Sequence, residues 1–164
     1  MYKSGKVEFM SRSYGFFIRL GLKLQHFFLL WMRLTWGHQF MIMGSLKLAN
    51  FDQTVQSFVA LNISHPEFHV YLVSYTEIIC GSLIAVGFLS RIASLPLIIC
   101  MLTALATAHA EKLSHLRFIT HPSALVGEAP YPYLLTALMV FCFGPGCLSV
   151  DRLIQRWVQR QPEY

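Results

Sequence analysis

Charge is what this chain has least of, and acid is scarcer than base. Charged residues make up 13% of the sequence, where a soluble domain carries about 25%. The 8 acidic residues face 13 basic ones, for a formal charge of +5. With 55% hydrophobic residues and a mean hydropathy of +0.50, 164 residues make one domain, and it is an integral membrane protein rather than a soluble one. A disulfide framework is also missing. Cys80, Cys100, Cys142 and Cys147 form no CxxC pair and fall inside apolar segments, so they read as buried free thiols. There is no Walker loop, GxGxxG, GxSxG, HExxH or kinase set, which excludes nucleotide-driven transport and serine hydrolysis as tasks of this chain alone. No nucleic-acid module is present, and the excess of base speaks to membrane topology and anionic headgroups. The first apolar run, from Phe16, is broken by Arg19, Lys23 and His26 with no small-residue cleavage site after it. The chain is therefore expected to be unprocessed.

What is present is helical in period. The fold class expected is all-α: an integral membrane four-helix bundle with amphipathic interfacial helices at both termini. Residues 1–27 form a basic amphipathic segment, with Phe16, Phe17, Leu20, Leu24 and Phe27 on one side, continued by Trp31, and Arg19, Lys23 and His26 on the other. Residues 28–148 form the membrane domain, and 149–164 a basic amphipathic helix with Arg152, Arg156 and Arg160. The four spans are 28–48, 69–89, 92–108 and 131–143. Each of the first two is close to the ~20 residues that cross a ~30 Å core. A polar connector covers 50–65, Pro66 opens the second span, and the Ser90-Arg91 link leads to the third. A longer polar segment, 112–130, carries His115 and His121, and Gly144-Pro145-Gly146 ends the fourth span. Asp151 is placed to cap the last helix. Trp31, Trp36, Tyr71, Tyr131, Tyr133 and Trp157 lie near span ends, as interfacial aromatics do, and are given no catalytic role.

One acid stands inside the spans. Glu77, Gly81, Ile84, Phe88 and Arg91 follow a four-then-three spacing and share a face, and Arg33, Gly37, Phe40, Gly44 and Lys47 repeat that spacing on the first span. Glycines let backbones approach, so antiparallel packing of these stripes would set a base beside Glu77. A carboxylate in hydrocarbon costs several kcal/mol unless protonated, paired or wetted, which makes Glu77 a functional candidate. Its pairing with Arg33, Lys47 or Arg91 leaves two readings: a buried ion pair that fixes helix register, or a proton-handling site. His38, ~15 Å from the inner boundary, lies at the level of Glu77. His109 closes the third span, as a surface proton contact or an interfacial anchor. His65 and His69 have i, i+4 spacing, but Pro66 lies between them and no compact Cys/His ligand set exists, so no metal is assigned. Cys80, Cys100 and Cys142 fall at mid-membrane as small packing residues, although converging thiols would suit Cu(I).

With four spans, ten of the thirteen Lys and Arg residues fall on the side shared by the termini and the Ser90-Arg91 link. Both termini are then cytoplasmic, and the histidine-bearing loops face outward, in a bacterium toward the periplasm.

RLTWGHQFMIMGSLKL, then YTEIICGSLIAVGFLSRIASLPLIICMLTALATAH, then FGPGCLSVD, together resemble the DoxX family of small membrane proteins over about residues 28 to 151. The carriers are Arg33 and the Gly44-x-x-Lys47 of the first span, Glu77 followed by Gly81, the Gly87-x-x-x-Arg91 link, His109, and the GPG-x-x-S-x-D close from Gly144 to Asp151. The resemblance implies a four-helix bundle in a bacterial inner membrane and association with redox chemistry. Relatives are subunits of quinone-coupled thiosulfate oxidation or partners of membrane oxidoreductases, and others accompany enzymes that modify metal-binding peptides. The basic amino-terminal segment and the long histidine-bearing loop depart from the family pattern. The expected role is a membrane subunit coupling a partner enzyme to quinone. In that role Glu77, Arg33, Lys47, Arg91 and His109 handle protons, and His38 and Glu77 either touch each other or bracket a quinone carbonyl. Two alternatives remain: a non-enzymatic anchor or assembly factor, and a small transporter or accessory in metal or metal-binding-peptide handling.

Overall fold

The computed structural model describes residues 4–108 and 126–159. Among them the chain is all-helical, with α1 Ser4–Ala49, α2 Phe51–Ala60, α3 Pro66–Val86, α4 Ser90–Ala108, α5 Pro130–Phe143 and α6 Val150–Val158.

No proline falls within 4–49, and α1 is accordingly one helix of 46 residues, ~69 Å long at 1.5 Å per residue. No break marks the expected boundary at residue 28: the basic amphipathic segment and the first span are one rod. The connector expected over 50–65 contains α2, which buries none of its residues.

α3 begins with Pro66 in its first turn, where a missing amide is tolerated. It ends at Val86, three residues earlier than expected, and Gly87 after it takes the left-handed conformation (φ 80°). There the Phe88 amide donates to the Leu83 carbonyl and the Gly87 amide to Ile84, so the last carbonyls are satisfied by a Schellman closure. Phe88 and Arg91 therefore do not continue the Glu77 face, and Arg91 belongs to the first turn of α4. α4 runs through Pro96 without ending.

α1 packs chiefly on α3, and α4 on α5, with α3 and α4 in contact between them. The core is built from Phe40, Ile84, Leu97, Ala137 and Val140. α3 and α4 are long and apolar enough to cross a membrane, whereas α5 is shorter, at 14 residues. Polar groups are buried beside that apolar core, namely Arg33, Ser74, Glu77, Ser90, Ser94 and Thr136, while Ile79, Ile92, Ile99, Leu102 and Phe143 face outward. Water as solvent would favour the opposite arrangement, so this surface suits hydrocarbon.

Candidate functional site

The glycine stripes seat α1 against α3. A Cβ on Gly37 would lie 2.8 Å from the Gly81 carbonyl oxygen, one on Gly44 would lie 2.6 Å from the Ser74 carbonyl oxygen, and one on Gly81 would lie 2.8 Å from Phe40 Cβ. Residue 37 faces 81 and 85 while 44 faces 74 and 77, so the two helices run antiparallel. Only glycine admits backbones this close.

That register brings Lys47 to Glu77. A helical side chain leans toward the amino terminus of its own helix. Lys47, in the last turn of α1, thus leans back toward mid-bundle, and Glu77 on the antiparallel α3 leans out to meet it. Lys47 Nζ donates to both carboxylate oxygens at 2.5 Å, with the Glu77 side chain 1% exposed and that of Lys47 29% exposed. This is the single ion pair among the described side chains.

The pair forms one wall of a cavity of about 410 Å³ that runs between α1, the turn after α2, α3, α4 and the start of α5. Phe40, Phe58, Leu61, Val73 and Met101 give it apolar sides, and Cys100, His69 and Tyr133 add polar atoms. Its volume lies within the roughly 300–1,000 Å³ of small-molecule sites, and its make-up, apolar with a few polar groups, is theirs too.

Of the bases considered for Glu77, only Lys47 reaches it. Arg33 points toward the opposite end of the bundle, fully buried, where Nη2 donates to the Leu148 carbonyl at 2.6 Å and Nε and Nη1 find no partner among the described residues. Arg91 is exposed, donates to the Cys142 carbonyl at 3.4 Å and lies over Gly144. His38 is also exposed and lines neither cavity. At 100° per residue it stands roughly 110° round α1 from Gly37 and Gly44. Contact between His38 and Glu77 is therefore corrected: equal depth did not mean equal direction. His109, with His115 and His121, lies outside the described residues. His69 Nδ1 lies 3.1 Å from the His65 carbonyl oxygen, and no cluster of three or more metal-ligating side chains occurs among the described residues.

The Gly144-Pro145-Gly146 strap ends α5 and leads into α6, both glycines having positive φ. Asp151 does not cap its own helix; that task falls to Ser149, whose Oγ accepts from the Arg152 amide at 3.2 Å. Asp151 reaches across instead to accept from the Leu89 and Ser90 amides at 2.8 and 3.2 Å, capping α4.

Two participants escaped the sequence. Tyr133, read as an interfacial aromatic, is buried edge-on against Phe40 (4.9 Å) and Trp36 (5.1 Å). The spacing Tyr133, Thr136, Ala137, Val140 carried that signal as a helix face. His26 and Cys147 approach to 3.2 Å, 121 residues apart, with no local pattern to announce it.

A family model described as DoxX matches residues 28–110. No curated protein and no solved structure matches the chain.

Proposed function

The chain belongs to the DoxX family, and from that membership we propose that it is the membrane subunit of a redox complex, coupling a partner enzyme to quinone. It is a four-span bundle of the bacterial inner membrane with both termini cytoplasmic. α1 and α5 complete the pair of spans formed by α3 and α4, and the excess of Lys and Arg at the terminal side sets the orientation. The supporting observation is the Lys47–Glu77 pair in the wall of an otherwise apolar cavity. A flat, apolar ring carrying carbonyl oxygens fits those walls and that donor. A quinone bound there supplies two-electron acceptor chemistry. Lys47 Nζ is the donor that orients a carbonyl oxygen, and Glu77 is the group that holds a proton within the hydrocarbon. The aromatic faces of Phe40 and Tyr133 and the aliphatic walls exclude water.

The test is native mass spectrometry with quinone extraction on protein purified from its own membrane in mild detergent. Retained quinone, lost in Glu77→Gln, supports the reading. A folded, quinone-free complex in which Glu77→Gln changes nothing removes it.

A second reading draws on the glycine stripes. Because Lys47–Glu77 lies at the end of the closest helix contact in the molecule, it also serves to fix register, as an anchor or assembly factor would require. A stoichiometric protein partner co-purifying without any redox-active ligand favours that role.

A further inference from the structure

At the far end of the bundle from Glu77, a groove of about 710 Å³ opens between His26 of α1, the α3–α4 link, the glycine strap and α6. We propose that this groove binds the phosphodiester headgroup of an anionic glycerophospholipid. The proposal rests on membrane embedding and is independent of the quinone reading.

The sign of the groove comes first. Arg91 and Arg152 line it, and among the described residues neither has a carboxylate within ion-pair distance, the single ion pair there being Lys47–Glu77. The groove's acid, Asp151, sets one negative charge against the two arginines, and both its oxygens already accept backbone amides from Leu89 and Ser90, so the groove keeps a positive excess. Arg91 lies over Gly144, where a Cβ would come within 3.2 Å of its Nε, so the strap glycine leaves room for the guanidinium. Two guanidiniums with unused donors present a forked match for phosphate oxygens.

The shape favours an amphiphile over a free anion. Ile92, Phe143 and Ile154 line the same groove and are exposed. They continue into the outward apolar surface of α4 and α5, so a headgroup between the arginines has a greasy path for its acyl chains. Lys23 and Arg19 stand three and seven residues before His26, on the His26 face of α1, and Arg156 follows on α6. Cations therefore continue beyond the groove where a row of headgroups would lie.

Cys147 lines the groove beside His26 and provides a local reporter. The full chain is reconstituted in nanodiscs of dioleoylphosphatidylcholine alone, or of that lipid mixed equally with dioleoylphosphatidylglycerol. Labelling of Cys147 by N-ethylmaleimide, which is uncharged, is followed by peptide mass mapping. The nanodiscs containing phosphatidylglycerol are expected to slow labelling about tenfold, the equivalent of a modest binding preference. Arg152→Gln should abolish the protection, and Arg156→Gln, outside the groove, should leave it. Native mass spectra should show phosphatidylglycerol retained in proportion. Equal labelling in both nanodiscs overturns the proposal. So does equal loss of protection in Arg152→Gln and Arg156→Gln, which would indicate diffuse surface charge, and so does equal protection by inorganic phosphate in the phosphatidylcholine discs, which would indicate a free-anion site.

Discussion

Arg33 donates through Nη2 to the carbonyl oxygen of Leu148, 115 residues away in sequence, at 2.6 Å. The guanidinium is wholly buried and lies so close to Gly87 that a Cβ there would overlap Nη1. One side chain thus ties α1, the end of α3 and the strap before α6 into a single corner. Two of its nitrogens lack partners among the described residues, so the contact places the strap at an energetic cost rather than adding freely to stability.

Arg33→Met is therefore expected to separate two readouts. Removing a buried cation with one of its three nitrogens bonded limits the loss of thermal stability, yet releasing Leu148 frees the strap. Labelling of Cys147 should accelerate several-fold while the unfolding midpoint in detergent moves little. A large fall in midpoint with unchanged labelling would show that Arg33 holds the bundle and not the strap.

The Lys47–Glu77 pair should show strong coupling. Lys47→Met leaves a carboxylate that is 1% exposed without its partner, which costs about 3–5 kcal/mol in comparable buried pairs. Glu77→Gln keeps the shape and one acceptor for Lys47, so its loss is smaller. The double variant is expected to recover much of the Lys47→Met deficit. Thermal unfolding of all four proteins in the same detergent measures the coupling, and additive losses would mean the two groups do not interact.

How much of this was legible can be read from those residues. The four-then-three spacing that sets Gly37 and Gly44 on one face of α1 and Gly81 on the Glu77 face of α3 carried the helix contact because a helix face is a property of local sequence. Lys47 could not be separated from Arg33 and Arg91 as the partner of Glu77. That choice depends on antiparallel register and on the lean of side chains, which a single helix does not contain. His38 failed for a related reason: depth along an axis follows from residue number, but its direction puts it off the packed face. Asp151 was read as capping the nearest helix. The amides of Leu89 and Ser90, 62 and 61 residues away, became its partners because Ser149 already fills the local role.

Two glycines of α1 should respond oppositely to the same change. A Cβ on Gly44 would meet the Ser74 carbonyl at 2.6 Å, a backbone atom that cannot swing aside, whereas one on Gly21 meets nothing within 4 Å. Gly44→Ala should lose about 1–3 kcal/mol by forcing α1 from α3. Gly21→Ala should be neutral or gain up to about 1 kcal/mol from helix propensity. Denaturant titrations of the two variants decide it; equal effects would mean that the glycine stripe does not set the helix spacing.

Asp151 and Ser149 lie two residues apart and cap different helices, so their variants should fail at different places. Asp151→Ala removes the acceptors of the Leu89 and Ser90 amides at the start of α4, and Ser149→Ala removes the acceptor of the Arg152 amide in α6. Each loss is expected to cost about 1 kcal/mol, typical of a helix cap, so midpoints alone would not tell them apart. Hydrogen–deuterium exchange will. Faster exchange confined to Leu89 and Ser90 in the first variant and to Arg152 in the second is the expected pattern. Because the Asp151 amide also donates to the Gly87 carbonyl at 3.0 Å, a bond that neither side-chain change removes, the α3–α4 link should keep its path in both proteins. Exchange spreading through α3 after Asp151→Ala would instead make this carboxylate the lock for the whole link.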